Sequence, residues 1–354
     1  MNARFGLPLL LGLTTLPAMA HHGVAGVGAA SLEGPGAPVE SASSATLPAG
    51  KTLLYMKLDH AQYKSINPSD TQADWSRYWM TGIGHGFTPW FSAYLFAPYN
   101  SKVDTNEPPP AVNPAPTPRF DTHGWADLSV MGQLAFKHEP GEGLKLIPDN
   151  ESLDDLEDWH FTVFAGSTLP TGNPNLRDRA GTIDPGKSTS FGKPSYSLGF
   201  TAGKVLTRDL TFNLEISTIR FQNFTYADGS GMRFGDEDRV NASLNWRLWG
   251  SAEARARLDG VLEAQYLKLG NDVATAAPTL AVPHPVATPD PISGGEITYL
   301  MPGVRLYKDN MSFALGFKLP VSARLNERPD LGQRQQGAEG TEKWRAIFSA
   351  SLLF

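Results

Sequence analysis

The stretch that decides the fold is the C-terminal one, residues 342–354, EKWRAIFSASLLF. Counting back from Phe354 in twos gives Leu352, Ala350, Phe348, Ala346 and Trp344, all apolar. The residues between them, Leu353, Ser351, Ser349, Ile347, Arg345 and Lys343, are mostly polar. A side-chain period of two is that of a strand and not of a helix. Such a strand needs its apolar face covered, either by a second sheet or by hydrocarbon, and the rest of the chain has to choose.

Upstream the same alternation recurs. Leu210, Phe212, Leu214 and Ile216 oppose Thr211, Asn213, Glu215 and Ser217. Val240, Ala242, Leu244, Trp246 and Leu248 oppose Arg239, Asn241, Ser243, Asn245 and Arg247. Ala254, Ala256, Leu258, Leu262, Ala264 and Tyr266 oppose Arg255, Arg257, Asp259, Glu263 and Gln265, and Met311, Phe313, Leu315, Phe317 and Leu319 oppose Ser312, Ala314, Gly316 and Lys318. Weaker strands are expected over 52–60, 77–86, 90–98, 125–137, 160–169, 195–205 and 296–307. With the final one this makes about 12 strands, the even count of bacterial membrane barrels. Many are near ten residues or longer, which suits tilted strands crossing a bilayer better than the five or six of an ordinary sheet.

Alternation alone fits a sandwich as well as a barrel; the connections separate them. Those at 99–124, 170–194, 222–238, 269–295 and 320–343 are long, whereas those near 88–89, 207–208, 251–253 and 308–310 are tight. Long and short alternate, as between the two sides of an outer-membrane barrel. The connection after the fourth strand, HEPGEGLKLIPDNESLDDLEDW (138–159), breaks the rule, and a helical turn near 150–158, capped by Asn150 or Ser152, is expected there. Aromatic residues near strand ends (Trp75, Trp79, Trp90, Trp125, Trp159, Trp249, Trp344, Tyr99, Tyr226 and Tyr299) are candidates for interfacial girdles. The fold class is therefore all-β, a transmembrane antiparallel up-and-down barrel of about 12 strands with long extracellular loops.

The N-terminus, MNARFGLPLLLGLTTLPAMA, has Arg4, an apolar core and small residues at Ala18 and Ala20, so residues 1–20 are expected to be a secretory signal peptide cleaved after Ala20. Residues 21–50 are rich in Gly, Ala, Ser and Pro and have no period; this segment is a candidate lumen plug, and 51–354 is the barrel. A net charge of -6 without basic runs argues against a nucleic-acid partner. The absence of cysteine excludes disulfides and thiolate chemistry.

Several stretches resemble a family of Gram-negative outer-membrane proteins labelled "MetA-pathway of phenol degradation" or putative transporters. They are SATLPAGKTLLYMKLDHA (44–61), STLPTGN (167–173), DPGKSTSFGKPSYSLGF (184–200), YADGSGMRFGDEDRVNASLNWRLW (226–249), MPGVRLY (301–307) and ALGFKLPV (314–321). The resemblance implies an outer-membrane barrel that moves small molecules, with no catalytic or ligand residues to carry over. The terminal Phe354 is similar to the signal such proteins present to the barrel-assembly machinery. Outer-membrane lipid and a small-molecule cargo are the other expected partners.

Inward-facing polar residues are the candidates for a pore lining: Asn213, Glu215, Asn245, Arg247, Arg257, Asp259 and Glu263. Opposed charges across a narrow lumen would orient polar solutes, or else pair and fill it. No cofactor is expected, with one alternative: a mature chain beginning at His21 and His22 offers an amine and two imidazoles for Cu(II). The segment GTIDPGKS (181–188) matches the phosphate-loop pattern but lies in a loop with no helix after it, so it is expected to be a chance match. The acidic run DNESLDDLED (149–158) lacks the glycine and ligand spacing of a calcium loop. Three functions follow: a channel or transporter in the Gram-negative outer membrane for small molecules, hydrophobic or aromatic compounds among the candidates; a copper-handling protein; and a barrel-embedded lipid hydrolase. The first, a non-enzyme, is the one the pattern favours.

Overall fold

The structure is a computed structural model that describes residues 36–63, 75–104, 120–147, 159–177, 181, 183, 185–291, 293–328, 335–336 and 342–354. The expected signal peptide, His21, His22 and the expected turn at 150–158 lie outside the described residues. The barrel strands are β1 (Thr52–Tyr63), β2 (Trp75–Thr88), β3 (Phe91–Asp104), β4 (Leu128–Glu139), β5 (Trp159–Leu169), β6 (Tyr196–Thr207), β7 (Leu210–Arg220), β8 (Glu237–Ser251), β9 (Ala256–Leu269), β10 (Gly295–Lys308), β11 (Met311–Leu325) and β12 (Glu342–Leu353). Each pairs antiparallel with its sequence neighbour, and β12 returns to β1 in the register Leu53↔Leu353 to Leu58↔Phe348, closing a 12-strand ring. Closure leaves no open edge within the barrel wall, the condition for strands to cross hydrocarbon.

Burial runs inside out. Leu198 and Leu315 are 56% and 54% exposed, whereas Asp259 and Glu263 are 0% exposed. In β12 the outer row is Trp344, Ala346, Phe348, Ala350 and Leu352, and Arg345, Ile347 and Ser349 are buried inside. An apolar belt outside with ionised groups sealed inside is the arrangement hydrocarbon imposes on a sheet, the reverse of a sandwich. Tight turns at 88–91, 207–210, 251–256 and 308–311 lie at one end, where Thr52 N–H donates to Phe354 at 2.8 Å. We call this the turn end and the other the loop end.

Three expectations are corrected and one is extended. The strand expected over 125–137 is two strands: Phe120–Trp125 pairs with the upper part of β3, and β4 begins at Leu128. Asp127 breaks the run because its carboxylate turns aside to accept N–H groups of the loop after β5. The strand expected over 90–98 continues to Asp104 on that added hairpin. The long fourth connection starts as a hairpin, with Gly143–Leu146 folding back on Phe136–Glu139, so the strand count stands. Arg255, expected on a strand face, sits in the turn before β9 with φ 44°.

Of the aromatic residues near strand ends, Trp125 and Trp249 are exposed at the loop and turn ends respectively. Tyr299 faces inward beside Lys318, and Tyr226 is buried among loop residues, so neither belongs to a girdle.

Candidate channel interior

Residues 36–48 carry no helix or strand and run through the ring's interior. An irregular segment has backbone N–H groups with no ladder to answer them, and burial makes each a cost unless an acceptor is supplied. The wall supplies carboxylates. Glu263 Oε1 accepts from Val39 N–H and from Glu40 N–H at 3.0 Å, and its Oε2 accepts from Ser41 N–H at 3.1 Å and the Ser41 hydroxyl at 2.6 Å. Glu215 Oε2 accepts from Ala42 N–H at 2.6 Å. The carbonyls are answered by cations and amides: Arg305 donates to Ala37 and Pro38, and Gln133 to Ser43 at 3.2 Å.

The segment also brings its own charge. Glu40 lies 3.0 Å from Lys318 Nζ and 3.9 Å from Lys57 Nζ, and accepts from Gln265 at 3.1 Å. Around it the wall pairs its own charges: Arg345 with Asp59 at 2.8 Å and with Glu342, Arg239 with Glu237, and Arg257 with Asp259 through bonds of 2.6 and 2.5 Å. Beside Glu40, Arg239 and Lys318 a void of about 10 Å³ remains, the size of about one water.

Small residues make the room. An inward β-carbon on Gly86 would overlap the carbonyl of Pro48, and one on Gly203 the Ser44 hydroxyl. Leu47, fully buried, packs on Tyr94, Phe96, Tyr55 and Met80, and Val39 on Met301 and Ile347.

Six of the seven candidate lining residues are buried on the inner face. Glu215 and Glu263 hold the segment; Asn213 donates to the Gly36 carbonyl at 3.3 Å; Asn245 donates to Ser243 at 3.0 Å; Arg257 and Asp259 pair with each other. Arg247 stands apart: it is half-buried near the turn end, next to the register shift between β8 and β9, where its backbone N–H bonds Asp209 at 2.7 Å. The candidate lining set left out Arg305, Lys318, Arg345, Lys57 and Asp59, all buried on the inner face. They were legible on the same parity grounds, as polar groups between apolar neighbours, but only the closed ring gives them partners.

At the loop end a second closure is built differently. The chain after β5 folds inward, placing Lys187, Ser188, Thr189 and Ser190 in buried positions. Asp127 pins it, accepting Gly172 N–H at 3.0 Å and Phe191 N–H at 3.1 Å; burial pushes this carboxyl above its usual range. Lys102 caps the Gly186 carbonyl. The phosphate-loop match therefore ends in a single 3₁₀ turn, Pro185–Lys187, whose Gly186 carbonyl is already occupied. Above it, Phe224–Thr225, Gly231–Arg233, Val273–Thr275 and Thr288–Pro289 form a four-stranded sheet from two loops. Its underside joins Phe191, Phe221 and Phe234, with ring centroids 4.7–6.1 Å apart. In this cover Asp272 accepts Gly235 N–H at 2.6 Å, and burial, with Asp290 adding to it, pushes its pKa up to about 7. Between the infolded chain and the walls of β3 to β7 lies a cavity of about 70 Å³.

No family model matches the chain, and no curated protein does. Among solved structures, the COG4313 outer membrane channel from Pseudomonas putida F1 matches with a TM-score of 0.58 at 11% identity, over 88% of this chain and 98% of that one. The NanC porin matches at 0.41 and 8% identity, over 85% and 98%, and a deltaS2S3 mutant of the TodX monoaromatic hydrocarbon channel at 0.36 and 10%, over 87% and 90%. The first likeness shows the fold, that of an outer-membrane β-barrel.

Proposed function

We propose that this protein is an outer-membrane channel for small molecules whose lumen is closed at rest by residues 36–48. With the membrane as the frame, the turn end faces the periplasm and the loop end the exterior. The observation that carries the reading is the capture of consecutive backbone N–H groups of an irregular segment by a single buried carboxylate, Glu263. Such a contact is made by hydrogen bonds and not by a covalent or ladder connection, so the segment can leave while the ring stays closed. The interior it would uncover is lined by paired charges and hydroxyls, which favours polar solutes over the hydrophobic cargo that the phenol label suggests.

Removal of residues 36–48 tests this directly. Liposome swelling with a panel of sugars, organic acids and neutral alcohols is expected to rise by about tenfold or more for the deletion, with the barrel still showing a heat-modifiable shift on gels. Gly86→Val, which puts a branched side chain against the Pro48 carbonyl, is expected to raise swelling in the same direction without shortening the chain. A folded deletion barrel that swells no faster than the intact chain would end the proposal. Membership of the family that the sequence resembles is part of the same proposal.

A further inference from the structure

The cavity under the infolded loop carries the strongest unassigned signal in the molecule. Its wall is mixed. Met131, Ile219, Phe191 and Phe221 give it an apolar side. Asn100 on β3 and Ser129 on β4 face it as buried polar residues, 7% and 6% exposed. Ser197 on β6, half-buried, faces the same space. A polar group that lines a cavity keeps its hydrogen bonds only through what the cavity holds. One amide and two hydroxyls line a single cavity and can bond whatever occupies it.

The charge at the site is already used. Asp127 spends both carboxylate oxygens on loop N–H groups, and Lys102 caps the Gly186 carbonyl. An incoming anion would meet Asp127 without a released cation, and an incoming cation would have to break the loop's anchor. Water alone could satisfy the three groups, but it would leave the facing rings of Phe191 and Phe221 against polar solvent. At the roughly 10–15 Å³ that a water-sized atom occupies, about 70 Å³ holds about five to seven non-hydrogen atoms. From this geometry we infer that the cavity is a binding subsite for small uncharged molecules that carry hydroxyl or amide groups on a short apolar body. Asn100 offers such a ligand both a donor and an acceptor, Ser129 and Ser197 a hydroxyl each, and the aromatic side its apolar contact.

The inference rests on the channel reading for the ligand's further course, not for the binding itself. Saturation-transfer NMR on the full mature chain in deuterated micelles, with 1,2-butanediol, butyramide and butyrate as size-matched probes, separates the two. Saturable binding of the diol and the amide is expected, with dissociation constants on the order of millimolar. Butyrate is expected to bind at least about tenfold more weakly, since it brings a charge with no partner. Ser197→Leu, which fills the cavity, is expected to abolish saturation. Ser129→Ala, which removes only the hydroxyl, is expected to weaken the diol by about tenfold. Equal saturation by butyrate, unsaturable signals for all three probes, or full binding by a folded Ser197→Leu barrel would each overturn the subsite. Saturable, Ser197-dependent binding in a barrel that conducts nothing after loss of residues 36–48 would sink the channel reading and leave the subsite standing.

Discussion

The two ends of the barrel interior are closed by different chemistry. In the half nearer the turns, a backbone without secondary structure is gripped by carboxyl side chains of the wall, and beside Glu40 the packing leaves about 10 Å³. At the loop end, a turn of chain is pinned by one carboxylate and covered by aromatic rings, and about 70 Å³ stays empty. The difference teaches where a closure can be tight. Bare peptide groups demand partners one for one, so the segment and its wall fit atom by atom. Hydroxyls and rings make fewer such demands, so space for a ligand survives between them.

The largest expected effect comes from breaking the charged half. Asp259→Ala leaves the Arg257 guanidinium buried without its bidentate partner, and loses of order 3–5 kcal/mol of barrel stability. Urea unfolding in vesicles reads it as a lowered midpoint; an unchanged midpoint would show that the interior is wetter than its packing indicates. A paired comparison comes next. Glu263→Ala strands several N–H groups of residues 36–48, at about 1–3 kcal/mol each, but the burden falls on the segment and not on the ring. The expected outcome is faster swelling with the unfolding midpoint almost unmoved. Asp127→Ala does the same at the other end, freeing the infolded loop: protease cleavage within 170–195 is expected to rise and diol binding to fall, with swelling through the segment-closed lumen unchanged. If the two variants gave the same phenotype, the two closures would be one.

The smallest effect is a pH dependence of the outer cover. Asp272, with a folded pKa of about 7 raised mainly by burial, binds its proton more tightly in the folded cover than in an unfolded loop. Its contribution is fully present below the ordinary carboxylate range and is lost as pH rises through about 7. Hydrogen exchange of residues 231–235 and 272–275, corrected for intrinsic rates, is therefore expected to be slower at pH 5 than at pH 8. Asp272→Asn keeps an acceptor for the Gly235 N–H and should remove the difference. Dependence that persists in this variant would assign it to Asp290 or another group.

Much of the ring was legible residue by residue. Trp344 to Leu352 in twos, the alternation of tight and long connections, and Glu263 or Arg257 set between apolar neighbours all follow from the strand period, which is local. Errors fell where a tertiary contact overrode that period. The stretch 125–137 reads as one strand until Asp127 is seen turning to the Phe191 N–H, which lies 64 positions away in the chain. The small sheet over the mouth has strands of two and three residues, too short to leave a periodic trace.

By itself the sequence determined which side chains face outward and which inward, because that parity is a property of each strand's own backbone and of the solvent it must meet. Only the closed structure decided which inward groups meet: Val39 with Glu263, Glu40 with Lys318, Arg345 with Asp59. These pairings join residues far apart in the chain, and no local period encodes them. They exist because twelve strands share one circumference and bring inward groups from distant strands within reach of one another and of the segment between them.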